Sequence, residues 1–345
     1  MGSHLRQRKR LSFRVTISVR YRTCYNARRQ DALQSSASEH SSDDPFFPEL
    51  SIMPILQSIL DDLHRRIKTG FALLVALCVT GLGHAADKTI PYAVKTVKDI
   101  VYHDGPDQHK VKHKLDLYLP EGVKDFPVLF FVHGGAWMHG DKDFFGVYSL
   151  FGRSFARLGI GVVVTNYRLS PEVKHPEHVK DVARAFAWTY RNIARYGGRV
   201  DQLFLCGHSA GAHLVALLTT DPEYLQPFDL TCKAIRGVIP VSGPFYFRDG
   251  FLTHVFGKSQ KEASPLNHVR EELPPFLILC AERDLPACDD KMAHSFCKAL
   301  RGKGNAAEVI VVKGTEHISI LASVGAADAL ANKAVREFIR KHTAQ

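Results

Sequence analysis

The chain has 345 residues, 45% hydrophobic and 23% charged, enough apolar mass for a large core and too much for disorder throughout. With 25 Gly and 17 Pro, collagen-like and low-complexity organisation is excluded as well. The formal charge of +10 is uneven. Residues 1–30 carry nine Lys or Arg and no acid, while from Ala86 onward 33 basic residues face 28 acidic ones without blocks, so nucleic acid is not an expected partner.

At the N-terminal end, Arg65, Arg66 and Lys68 precede an apolar stretch from Phe71 to Leu82, which closes on the small residues Gly83 and Ala85. Its length of about twelve residues suits a secretory signal core and falls short of the ~20 needed to span a bilayer. Residues 53–85 are therefore expected to be a signal-peptide-like segment starting at Met53 and cut near Ala85/Ala86. Residues 1–52 would be a disordered or non-native extension, with an organellar transit peptide as the rival reading. A lipoprotein anchored at Cys78 is disfavoured by the bulky Leu77 before it. The expected location is secreted or periplasmic, with no stable membrane span after signal removal.

From Asp87 the pattern changes to short β-rich runs alternating with helical stretches, the sign of a sheet covered by helices. Val94–Val101 and Lys112–Leu119 read as an opening strand pair. Val128–Val132, Ile160–Val164 and Leu203–Cys206 are near-continuous apolar runs that fit parallel strands buried on both faces. Ile235–Val241, Phe276–Cys280 and Glu308–Val312 extend the series. Helices are expected at Phe145–Leu158, His178–Tyr196, Ala212–Leu218, Asp290–Arg301 and Ala326–His342. Residues 86–345 thus read as one α/β domain with eight strands. The cysteines lack disulfide or metal-type spacing and are expected to be free thiols, although Cys232, Cys288 and Cys297 leave room for one pair.

Gly207-His208-Ser209-Ala210-Gly211 follows a buried-type strand and opens an Ala-rich helix, the context of a nucleophile elbow that lifts Ser209 clear of the sheet. Its glycines suit a strained turn passing close to other backbone. Upstream, His133-Gly134-Gly135-Ala136-Trp137 closes the first long apolar strand, where small residues let backbone amides reach a substrate. The amides of Gly135, Ala136 and Ala210 are the candidate oxyanion hole. His133 reads as a structural hydrogen-bonder. Trp137 is a candidate pocket residue or a core anchor, and His208 and Phe245 are further pocket candidates.

For the base, His317 is favoured among eighteen histidines, because it follows the last β-rich run and precedes the terminal helix. For the acid, the run from Phe276 leads into a loop where Asp284 fits best, with Glu282, Asp289 and Asp290 in reserve. His175 and His178 are spaced three apart, but Pro176 lies between them and no carboxylate completes a ligand set. They read as loop residues, and no metal or cofactor is expected.

These residues resemble the α/β-hydrolase esterases that carry His-Gly-Gly near the first central strand, and the similarity spans most of residues 95–342. The runs at 207–214 and 133–137 are similar to those of bacterial carboxylesterases related to feruloyl and acetyl-xylan esterases, and to those of kynurenine formamidases. Asn166 to Pro171, Pro176 and Asp181 also resemble the stretch after the oxyanion loop in these groups. Ala136 departs from the third Gly of the strict hormone-sensitive-lipase subgroup.

The resemblance implies a mostly parallel eight-stranded α/β-hydrolase sheet with helices on both faces, and the chain order Ser209, Asp284, His317 is the order of that fold. It also implies acyl transfer through a covalent intermediate, declining below pH ~6.5 as an imidazole base becomes protonated. The connection from Gly243 to Phe276, about 32 residues, leaves room only for a minimal lid, which favours small to medium acyl esters. The expected substrate is a small-molecule ester or an acylated polysaccharide. An arylformamidase is the alternative, and a catalytically dead hydrolase-fold binding module is a third reading.

Overall fold

The computed structural model describes residues 91–343. The extension 1–52, the signal-like segment 53–85 and the expected cut near Ala86 lie outside these residues.

Alternation along the central strands explains their continuous hydrophobicity. In β3 (Phe126–Val132), Val128, Phe130 and Val132 enter one core, while Leu129 and Phe131 enter the other. A strand covered on both faces has no solvent side on which to place polar residues. The same division holds in β5 (Gly198–His208), with Leu203 and Leu205 opposite Phe204 and Cys206, and in β7 (Phe276–Arg283).

With β1 (Val94–Val101), β2 (Lys114–Pro120), β4 (Gly161–Thr165), β6 (Gly237–Val241) and β8 (Ala307–Glu316), these form one eight-stranded sheet. Its order is β1-β2-β4-β3-β5-β6-β7-β8. β2 runs antiparallel to both neighbours, and all pairings from β4 to β8 are parallel.

Helices cover both faces. α1 (Val147–Arg157), α6 (Ser319–Gly325) and α7 (Leu330–Thr343) contribute Phe155, Val324 and Phe338 to one core. α2 (Glu177–Asn192), α3 (Ala210–Thr220) and α5 (Asp290–Gly302) contribute Phe186, Leu214 and Phe296 to the other. The Gly243–Phe276 connection holds only the four-residue helix α4 (Thr253–Phe256) and a 3-10 turn at Pro265–His268, which makes it a minimal lid.

Two expectations are corrected. The terminal helix begins at Leu330 rather than Ala326, and the unforeseen helix α6 stands before it; a bend with extended backbone at Ala326 and the turn that follows separate the two. β5 begins at Gly198 rather than Leu203, because its first residues include the exposed Arg199 and Asp201 and carry no apolar run. Among the described residues, Cys206, Cys232, Cys280, Cys288 and Cys297 are all buried free thiols.

The Phe130 and Phe186 rings meet edge-on at 5.7 Å, joining β3 to α2 in the fully buried core. Phe186→Ala should therefore lower unfolding free energy by about 3–5 kcal/mol in urea denaturation. A loss under ~1 kcal/mol would contradict this packing.

Candidate active site

Between the last residue of β5 and the first of α3, the chain turns through Ser209 at φ 55° and ψ −118°. This is a sparsely populated conformation for a residue with a Cβ. Neighbouring backbone holds it there: the Ser209 amide donates to the Val241 carbonyl at 2.9 Å, and its own carbonyl accepts from the His213 amide at 3.1 Å. The flanking glycines are dictated by space. A Cβ on Gly207 would lie 2.4 Å from the Gly211 backbone, and one on Gly211 would lie 2.1 Å from the Val132 carbonyl oxygen.

His317 follows β8 and Asp284 follows β7, so parallel strands deliver both to the same sheet end as Ser209. His317 Nε2 lies 2.9 Å from Ser209 Oγ, and His317 Nδ1 lies 2.6 Å from Asp284 Oδ1. An ionised carboxylate only accepts. The Nδ1–H of His317 therefore donates to Asp284, and Nε2 is left to accept the Ser209 hydroxyl proton.

Asp284 also accepts from the Leu285 amide at 2.8 Å through Oδ1, and from the Ala281 amide at 3.0 Å and the Ser242 hydroxyl at 2.5 Å through Oδ2. Burial alone would raise this carboxyl, but the bonds from His317, Ser242 and Ala281 outweigh it and hold the group below the usual range. The reserve acids lie elsewhere. Glu282 pairs with Lys313 at 3.0 Å, Asp289 caps α5 through the Met292 amide, and Asp290 opens that helix.

The loop after β3 passes beside Ser209, since the Cβ position of Gly134 is 3.2 Å from the Ser209 Cβ. Gly135, Ala136 and Trp137 all take positive φ, at 122°, 53° and 60°. Gly135 cannot be replaced, because a Cβ there would sit 2.0 Å from the His139 carbonyl oxygen. Among the described residues, the Gly135 and Ala136 amides have no acceptor. The Ala210 amide is in the first turn of α3, where no intrahelical acceptor exists. His133 is fully buried, stacked on Tyr167 at 4.5 Å, with Nδ1 donating to the Gly134 carbonyl at 2.7 Å. Burial takes its pKa down to about 4, so it holds the loop as a neutral ring.

The expected pocket residues Trp137, Phe245 and His208 are all buried. Trp137 is 3% exposed and packs edge-on against Phe256 at 4.9 Å, and Phe245 is fully buried and stacked on Phe296 at 4.4 Å. Large rings beside an apolar core gain more from burial than from lining an open cleft. His208 is also buried, and its Nε2 donates to the His317 carbonyl at 2.7 Å. His178 was expected in a loop but lies in the first turn of α2, buried, 3.1 Å from Ser170 Oγ.

Two residues were missed. Ser242 reaches Asp284. His213 accepts from Trp137 Nε1 at 3.1 Å and donates through Nε2 to the Ala263 carbonyl at 2.7 Å, tying the loop after β3 to α3 and the lid connection. Ser242 had a readable signal, a polar residue ending an apolar parallel strand at the end where sites gather. His213 had none beyond standing four residues after Ser209. Ligand atoms of Cys288, Asp284 and His317 lie within 4.8 Å of one another. Asp284 and His317 are already bonded to each other, however, and burial pushes the Cys288 thiol well above its ordinary range, so the cluster does not read as a metal centre.

Residues 115–243 match the BD-FAE family model. Esterase LipQ of Mycobacterium tuberculosis is 37% identical over 201 residues, covering 52% of this chain and 47% of LipQ. Kynurenine formamidase of Danio rerio is 28% identical over 259 residues, covering 72% of this chain and 83% of that enzyme. A truncated carbohydrate esterase from gut microbiota superposes with a TM-score of 0.63 at 20% identity, covering 74% of this chain and 98% of that one. The chain spans about half the length of the curated mycobacterial esterases it matches. It has the α/β-hydrolase fold and resembles the esterases built on it.

Burial lowers His133 to about 4 and His208 and His213 to about 3, so the fold keeps all three neutral. The unfolded chain takes up their protons below ~6.5. Their stabilisation is thus present above that pH and is lost as pH falls from about 6.5 toward 3–4, at up to about 1.4 kcal/mol per pH unit for each ring. Denaturation midpoints should drop steeply between pH 6.5 and 4.5. A flat profile there would contradict neutral buried rings.

Proposed function

We propose that the chain is a serine carboxylesterase that cleaves small to medium acyl esters through an acyl-enzyme. The observation that carries this reading is the unbroken hydrogen-bond chain from Ser209 through His317 to Asp284, anchored at a strained backbone corner. Resemblance to esterases supports the same chemistry.

In this mechanism His317 Nε2 takes the Ser209 proton as Oγ attacks the ester carbonyl. Asp284 fixes the tautomer and stabilises the imidazolium through Nδ1–H. The tetrahedral oxyanion is received by the amides of Gly135, Ala136 and Ala210, which are held in place at no reorganisation cost during the reaction. His317 then protonates the departing alcohol. It next activates water against the acyl-enzyme and returns the proton to Ser209.

Acyl groups on carbohydrate are one candidate substrate class, supported by the likeness to a gut carbohydrate esterase. Export of the domain through the signal-like segment 53–85 belongs to the same reading. A second reading is formamide cleavage, favoured by the kynurenine formamidase match along most of that enzyme's length.

Ser209→Ala should reduce 4-nitrophenyl acetate turnover by about 10⁴-fold or more with unchanged circular dichroism, and Asp284→Asn should cost about 10⁴-fold. Wild-type rates in Ser209→Ala would remove the assignment. Parallel assays with acetylated xylan, methyl ferulate and N-formylkynurenine should favour the esters; a higher kcat/KM for the formamide would select the second reading. Mass spectrometry of exported protein should find an N-terminus near Ala86, and a mature product retaining Phe71 would contradict the export proposal.

A further inference from the structure

Of the groups that donate to Asp284, the Ala281 and Leu285 amides belong to the carboxylate's own strand end and loop, and His317 is the partner it serves. Ser242 is different. It comes from the neighbouring strand, directly after β6, and is fully buried with its backbone in the left-handed region at φ 51°. Its amide donates to the Leu279 carbonyl at 2.8 Å, and its hydroxyl donates to Asp284 Oδ2 at 2.5 Å. The preceding residue, Val241, accepts the Ser209 amide. Two consecutive residues at one strand end therefore brace both ends of the triad, the nucleophile corner through a carbonyl and the acid through a hydroxyl.

We propose that Ser242 is a positioning residue that locks the Asp284 carboxylate against rotation, so that Oδ1 stays aligned with His317 Nδ1 throughout the catalytic cycle. The proposal rests on the esterase reading above. The two backbone amides tie the carboxylate only to its own strand end and loop, whereas the Ser242 bond ties it to the end of the neighbouring strand. Ser242 contacts no substrate and acts through Asp284 and His317. It also draws negative charge away from the carboxylate, so its loss leaves more charge facing the imidazolium.

Several other groups share this surrounding. The His208 ring stands 5.0 Å from that of His317. Cys288, Cys280 and Asp289 lie on the Asp284 side, and the Arg283–Glu316 pair, 3.3 Å apart, is exposed beside them. None of these is altered by a change at Ser242, so a shifted pH profile is attributable to the lost hydroxyl.

The test compares the pH dependence of kcat and KM for 4-nitrophenyl acetate in wild type, Ser242→Ala, Ser242→Gly and Ser242→Cys. Ala and Gly should each lower kcat by about 10- to 100-fold, the scale of a hydrogen bond to a charged group. KM should stay within about twofold, and the acid side of the profile should move up by a few tenths of a pH unit. Cys, a weaker donor of similar size, should fall between them and wild type. Gly tolerates the left-handed backbone and carries the test if Ala does not fold. Wild-type kcat and pH profile in Ser242→Gly would overturn the proposal, since the position would then matter only to the backbone. Ser209→Ala, assayed alongside, separates the two levels: activity surviving there would topple the esterase reading itself.

Discussion

The site depends on how closely three backbone segments approach one another at the end of the sheet. β5, the first turn of α3 and the end of β3 come so near that Gly207 and Gly211 have no space for a methyl group. That crowding forces the corner at Ser209 into a conformation a lone serine would not choose. The strain is sustained by the hydrogen bonds to Val241 and His213 and by the core beneath. Ser209 Oγ lies 2.9 Å from Nε2 of an imidazole delivered by a strand on the far side of β7.

The polar groups around this corner divide into a hydrogen-bonded line and a surrounding shell. Ser209, His317 and Asp284 form the line, with proton positions set by the carboxylate's inability to donate. The shell consists largely of histidines that burial keeps neutral. His133 fixes the loop after β3, His208 holds the backbone of His317, and His213 ties Trp137 to the lid connection. One nitrogen of each ring binds a backbone carbonyl. These three rings, costly to bury when charged, are thus built into the fold as uncharged struts.

The fold was legible because central parallel strands need apolar side chains on both faces, and runs such as Val128–Val132 carry that signature openly. Ser209 was legible because its glycines are sterically obligatory, and His317 and Asp284 because topology restricts which loops reach that sheet end. The pocket was not legible. An aromatic residue near a motif can fill a core or wall a cleft with the same letters, and Trp137 and Phe245 took the core. The boundary between α6 and α7 was hidden for a similar reason: Ala-rich sequence from Ala326 to Ala331 is compatible with continued helix, and only tertiary packing ends one helix and starts the next. Ser242 carried a signal of position, a polar residue at the end of an apolar strand, but not of its partner, which lies 42 residues away.

The proposed chemistry requires one serine hydroxyl activated for attack on an acyl centre. Incubating the native protein with a fluorophosphonate and mapping the adduct by peptide mass spectrometry measures this without assuming a substrate. Stoichiometric labelling confined to Ser209, and abolished in His317→Ala, is expected. Absence of an adduct, or an adduct on any other residue, would contradict that chemistry.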